Sequence, residues 1–189
     1  IQGPPQTCGR APGTMKMAVL SPQKPMSSQF YDNDVADAIE ALVDMYVASQ
    51  KLDVRRIYLT GLSQGSIGTW NLAAARPAKW AAIAPVSGGL RPPFKEAASA
   101  LKDIPIWAFH APNDVILPVA MSDKSVDACK RLATRTAEIK YTRDEAGGSD
   151  PSWAAAGIPD MPGHGGMNSL AYYPGELYEW LLQFRLKNK

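Results

Sequence analysis

Cysteine, histidine, net charge and long apolar runs are all scarce in this chain. Of 189 residues, 20 are Lys or Arg and 18 are Asp or Glu, which leaves a net charge of +2. No basic block interleaved with aromatics breaks that balance, so no nucleic-acid partner is expected and no electrostatic patch for a membrane surface stands out. No apolar run approaches the roughly 18–20 residues of a spanning helix, so no transmembrane segment is expected. The opening residues, IQGPPQTCGR, lack the charged and apolar regions of a signal peptide, although one removed upstream would leave no trace. The two cysteines, Cys8 and Cys129, lie far apart; they can pair or both stay free, and the compartment stays open. His110 and His164 stand 54 residues apart with no clustered cysteines. That gives no ligand spacing for zinc, and neither a metal nor another cofactor is expected.

What is present reads as a soluble α/β domain spanning 1–189. The apolar fraction is 46% and the charged fraction 20%, with no internal repeat and no linker. KMAVL (16–20) reads as a short buried strand. Residues 32–50 carry Val35, Ile39, Leu42, Val43, Tyr46 and Val47 at helical spacing, with Asp32 or Asn33 as N-cap. Strands follow at 56–60, 81–86, 105–110 and 138–142, alternating with helices at 64–76, 94–101 and 120–135. A Gly-, Pro- and Asp-rich loop is expected from about 143 to 174, then a last helix at 175–187. Apolar strands alternating with helices predict a mostly parallel sheet covered by helices on both faces.

Gly61-Leu62-Ser63-Gln64-Gly65 falls between one of these strands and its helix. That is the context in which G-x-S-x-G carries chemistry: a sharp turn lifts the serine hydroxyl above the sheet edge, and glycines let strand and helix approach. The backbone N–H of Gln64 would then face an oxyanion formed at Ser63, and Gly68 would allow close packing one turn on. The bland alternative is a serine helix cap with chance glycines.

A serine nucleophile needs a base. Chain order serine–acid–histidine selects His164, in MPGHGGMN, over His110, whose ring nitrogens are expected to bond backbone near a strand end. Asp114, just past the strand PIWAFH, is the candidate acid that would orient His164; an Asn-Asp turn is its ordinary reading. Asp123 and Asp127 compete weakly from the next helix, and Asp144, Asp150 and Asp160 belong to the histidine loop. Trp153, Met161 and Met167 lie near His164 in sequence; Trp153 and Met161 are the candidate substrate contacts.

Three blocks of sequence, DVRRIYLTGLSQGSIGTWNLAAARPAKWAAIAPVSGG, IPIWAFHAPNDVILPV and ELYEWLL, resemble the small α/β-hydrolase esterases of the phospholipase/carboxylesterase type, akin to dienelactone hydrolases and feruloyl esterases. The resemblance spans about 16–187. It implies the α/β-hydrolase fold and ester hydrolysis through an acyl-serine, with Ser63 as nucleophile, Asp114 as acid and His164 as base. Departures are Ser66 and Ile67 after Gly65, and His110-Ala111 in place of His-Gly. The largest is at the front, where the family's H-G-x-G oxyanion strand is replaced by IQGPPQ; Pro4 and Pro5 have no N–H to donate, which leaves Gln6 or a neighbour as second donor. In that fold the oxyanion strand lies between the strands that here are KMAVL and RIYLT. Residues 1–15, with three prolines and three glycines, cannot supply it. Either first strands lie upstream of Ile1 or the two flanking strands close up and pair.

The expectation is a serine esterase acting on small or aryl carboxylic esters, a small-molecule partner. A non-catalytic binding domain and an acyltransferase are the alternatives. No long insertion follows AAIAPV, so no large lid is expected and the cleft should be open.

Overall fold

The computed structural model describes residues 17–145, 153, 155, 157–159, 161–172 and 175–187. Helix α1 (Asn33–Gln50) leads into β1 (Tyr58–Leu62), α2 (Gln64–Ala75), a 3₁₀ turn (Pro77–Lys79) and β2 (Ala82–Val86). There follow α3 (Phe94–Ala100), β3 (Ile106–Phe109), α4 (Ala120–Lys130), β4 (Ile139–Thr142), α5 (His164–Tyr172) and α6 (Glu176–Leu181). The sheet order is β1-β2-β3-β4 and every pair is parallel, with Leu62 opposite Val86 and Phe109 opposite Thr142. This is the expected parallel α/β arrangement.

Each strand lies beside its predecessor and each crossover carries a helix, so right-handed connections place α2, α3 and α4 on one face. Side chains alternate along a strand, and the two faces separate accordingly. Ile83, Ile106 and Ala108 pack with Val35 and Ile39 of α1, Trp70 and Leu72 of α2, Leu101, and Val126 of α4. The alternate positions Ala82, Ala84, Val86, Trp107 and Phe109 pack with Met167, Ala171 and Tyr172 of α5 and with Leu177, Tyr178, Trp180 and Leu181 of α6. Met167 is therefore core and not a rim contact. Trp107 stacks on Phe109 at 4.9 Å between centroids and meets Trp180 edge-on at 5.6 Å. Such pairs add about 0.5–1.5 kcal/mol each beyond area burial.

Beyond end shifts of one or two residues, as at β1, expected at 56–60 and found at Tyr58–Leu62, four elements depart from the sequence reading. Residues 17–20 form no strand: Val19 is exposed, and the run pairs with no strand among the described residues, without which an extended run is not stable. Direct pairing of that segment with β1 is accordingly not observed. Helix α4 stops at Lys130, and Arg135 in the segment beyond it donates to the Leu101, Ile104 and Glu138 carbonyls, bonds made outside the helix. Helix α6 ends at Leu181 in turns, with Gln183 N–H on Trp180 O and Phe184 N–H on Leu181 O. The expected long loop contains α5. Gly165, Gly166 and Asn168 are poor helix formers, but His164 through Asn168 are buried, and packing outweighs propensity. Among the described residues, no large lid covers the sheet edge and no helix is long and apolar enough to cross a membrane. Cys129 is a free, buried thiol, and burial pushes its pKa up to about 11; Cys8 lies outside the described residues.

Candidate active site

All four strands run the same way, so the residues that follow β1, β2 and β3 emerge at one edge. That is where an open α/β sheet holds its ligand. Ser63 follows β1 directly, with φ 59° and ψ −119°. A non-glycine residue in that region costs on the order of 1–3 kcal/mol and persists only where its surroundings enforce it. Here the Ser63 N–H donates to Val86 O at 3.0 Å, while its carbonyl accepts the Ser66 and Ile67 N–H groups at 2.9 and 3.1 Å. Although Ser63 occupies the N-cap position of α2, its side chain makes no capping hydrogen bond. The helix-cap reading therefore fails.

The flanking glycines act unequally. A Cβ on Gly61 would lie 2.6 Å from the Gly65 backbone, so only glycine fits there. A Cβ on Gly65 would meet nothing within 4 Å. Gly68 allows the expected close packing: Phe30 lies 2.6 Å from where its Cβ would be. Gln64 opens α2, and its backbone N–H is one of the four such donors that an α-helix leaves without an internal acceptor. Gln6 lies outside the described residues.

Asp114 sits in the turn after β3 with its side chain fully buried. Oδ1 accepts the Ile116 and Leu117 N–H groups, both at 2.8 Å, and Oδ2 accepts from His164 Nδ1 at 2.7 Å. Burial opposes the charged form. Hydrogen bonds from His110, His164 and the Leu117 and Ile116 N–H groups outweigh it and hold the carboxyl well below the usual range. His164 is the first residue of α5. Gly163 (φ 76°) brings its loop against the acid turn: a Cβ there would lie 2.6 Å from Asn113 C and Asp114 N, and the Val115 N–H donates to Pro162 O. At the far end of α5, the Tyr172 hydroxyl meets Thr60 Oγ1 at 2.8 Å. Thr60 gives its own proton to Ala84 O, so Tyr172 is the donor. The helix bearing His164 is thereby tied to the strand that leads into Ser63.

The structure thus hydrogen-bonds Asp114 to His164 and places Ser63 at the same sheet edge. The hydrogen bonds of the described residues do not include one between Ser63 Oγ and the imidazole; such contacts commonly form only around a substrate. Trp153 is buried with its ring centroid 6.3 Å from that of His164. Met161, half-buried, accepts the Gly165 N–H at its carbonyl in the turn before α5. His110 departs from expectation. Only Nε2 meets a backbone group, Leu117 O at 3.0 Å, with Asp114 Oδ2 at 3.3 Å, whereas Nδ1 meets the side chain of Ser122 at 2.7 Å. Sequence reasoning overlooked Ser122 and Gly163; a glycine directly before the candidate base is a sign of a close approach that could have been read.

Residues 12–152 match the model of the phospholipase/carboxylesterase family. The chain belongs to that family. The matched segment contains Ser63 and Asp114 and ends before His164. Two curated relatives are similar over shorter stretches. A bifunctional acetylxylan esterase/xylanase of Neocallimastix patriciarum is 32% identical over 79 residues, 42% of this chain and 11% of that protein. A poly(3-hydroxyalkanoate) depolymerase C of Paucimonas lemoignei is 40% identical over 62 residues, 33% of this chain and 14% of that one. Among solved structures, a thermostable esterase superposes with TM-score 0.66 at 27% identity, over 85% of this chain and 39% of its own. The chain therefore spans well under half the length of these relatives. The phospholipase/carboxylesterase membership and the four-stranded parallel sheet agree on an α/β-hydrolase fold.

Proposed function

We propose that this chain is a serine carboxylic ester hydrolase acting on small or aryl esters through an acyl-serine. The observation that carries the reading is the buried Asp114 carboxylate bonded to His164 Nδ1, at the sheet edge where a strained, non-capping serine emerges. An anionic Asp114 keeps the ring proton on Nδ1, which leaves Nε2 free to accept. In the reaction, His164 Nε2 takes the Ser63 proton as Oγ bonds to the ester carbonyl carbon. The resulting oxyanion is stabilised by the Gln64 N–H, with Gln6 proposed as second donor. The tetrahedral species collapses, His164 returns the proton to the departing alcohol, and water repeats the sequence on the acyl-serine to release the acid.

Trp153, beside the His164 ring, and Met161, in the turn before it, are proposed to contact the acyl or aryl part of the substrate. The relatives are named for acetylxylan and for poly(3-hydroxyalkanoate), which favours a wide, open cleft that tolerates bulky acyl groups. Ser63→Ala should abolish the burst of p-nitrophenol from p-nitrophenyl acetate and labelling by a fluorophosphonate. Turnover retained in Ser63→Ala would overturn the assignment. Wild-type protein that takes no label would instead indicate a non-catalytic binding domain.

A further inference from the structure

The structure assigns to His110 a role that the ester-hydrolase reading does not require: we propose that it is a buried ring that donates from both nitrogens, an imidazolium, and that it fixes the Asp114 carboxylate for His164. Ser122 has one hydroxyl proton, and it lies on Gly88 O, because that contact of 2.5 Å joins a hydroxyl to a group that only accepts. The Ser122 oxygen therefore accepts from His110, and Nδ1 carries a proton. Nε2 faces Leu117 O at 3.0 Å and Asp114 Oδ2 at 3.3 Å, and both are acceptors, so Nε2 carries a proton too. A ring with both nitrogens protonated is cationic. It is fully buried, and the charge is balanced by the equally buried Asp114 carboxylate.

The consequence is positional. Asp114 Oδ2 is shared between His110 Nε2 and His164 Nδ1, while Oδ1 is held by two backbone donors. His110 Nε2, 3.3 Å from Oδ2, adds to these contacts and opposes rotation of the carboxylate away from His164. The His110 ring is anchored through Ser122 to α4 and, by way of Ser122, to the Gly88 carbonyl in the turn after β2, and the His110 backbone N–H donates to Thr142 O. The groups facing the ring are thus Asp114 and the Leu117 carbonyl from the loop that follows it, Ser122 of α4, and His164 of α5 across the Asp114 carboxylate. The structure joins the acid to three elements through one cation. His110 touches no reacting atom and is a positioning residue. The low pKa of Asp114 agrees, since His110 is the first hydrogen-bond donor that opposes its burial.

The proposal rests on the esterase reading only for its effect on turnover. Its charge claim is tested independently by ¹⁵N-resolved NMR of the histidine side chains at neutral pH, assigned with His110→Gln. The expected result is two slowly exchanging ring N–H signals from His110, with both nitrogens at imidazolium shifts. A single ring N–H with a pyridine-type partner nitrogen would overturn it. On p-nitrophenyl acetate, His110→Gln keeps a donor toward Asp114 and loses the charge. It should lower kcat about 10-fold or more with little change in KM, as loss of a partner that orients a histidine does. Ser122→Ala leaves the ion pair in place and should lower kcat less than His110→Gln does. Unchanged kcat in a folded His110→Gln, with Ser63→Ala inactive, would sink the positioning role and leave the esterase intact. If His110→Gln does not fold, a kcat loss in Ser122→Ala without a KM change supports the role, and an unaltered kcat there counts against it.

Discussion

Asp114 is the most constrained group at the site. Four donors converge on it: two backbone N–H groups and two histidine rings. Its carboxyl pKa is depressed in the native state, so it contributes stability above its unfolded value of about 3.9. That contribution is lost as the pH falls from there through the lower native value. Urea unfolding followed from neutral pH down to about pH 3 should therefore show a steep loss in the wild-type protein below about pH 4. Asp114→Asn should be less stable at neutral pH and lose less on acidification. Parallel curves for the two proteins would show that the carboxylate is not held as described. Chain order and the strand edge lead from sequence to Asp114 and His164. They do not lead to the His110 contact, because a histidine at a strand end carries no sign of which way its ring turns or which hydroxyl proton is already committed.

At the scale of elements, the junction of β1 and α2 works through one glycine more than the other. The backbone at Gly65 closes on the space where a Cβ at Gly61 would stand, while Gly65 itself has room. Gly61→Ala should cost about 1–3 kcal/mol through overpacking. Gly65→Ala should be neutral or stabilise by up to about 1 kcal/mol, since alanine is the better helix former and its methyl meets nothing. Thermal melts of the two variants decide this, and equal losses at both positions would contradict the geometry. A symmetrical five-residue pattern shows that the turn is tight but not which residue bears the contact. The strands and the helices before 130 are readable because their apolar spacing matches their burial. Helix α5 is not, because Gly165, Gly166 and Asn168 mask it and burial alone holds it. Residues 17–20 show the converse: an apolar run has the composition of a strand and pairs with no strand among the described residues.

Over the whole molecule, the site exists because two layers are clamped on one sheet. Helices α1 to α4 cover one face, and α5 and α6 cover the other while α5 also carries His164. The second layer is the thinner of the two, yet it seals Ala82, Ala84, Val86, Trp107 and Phe109. An aromatic side chain buries about 150–250 Å², or roughly 4–6 kcal/mol at 25 cal/mol per Å². Trp107 and Phe109 together therefore involve an energy comparable to the entire stability of a domain, about 5–15 kcal/mol. The first layer and the sheet should not form a native structure alone. A chain ending at residue 160 is expected to bind the dye ANS, lose its near-ultraviolet circular dichroism and show no cooperative melt, even though β1–β4 and α1–α4 are all present. Trp180→Ala should give the graded version, a loss of about 3–5 kcal/mol with the fold retained, because its ring packs edge-on against both Trp107 and Phe184. A truncated chain that melted cooperatively would mean that the face carrying Trp107 needs no cover. The clamp would then serve only to deliver His164 to Asp114, and the coupling between the stability of the second layer and the geometry of the site would disappear.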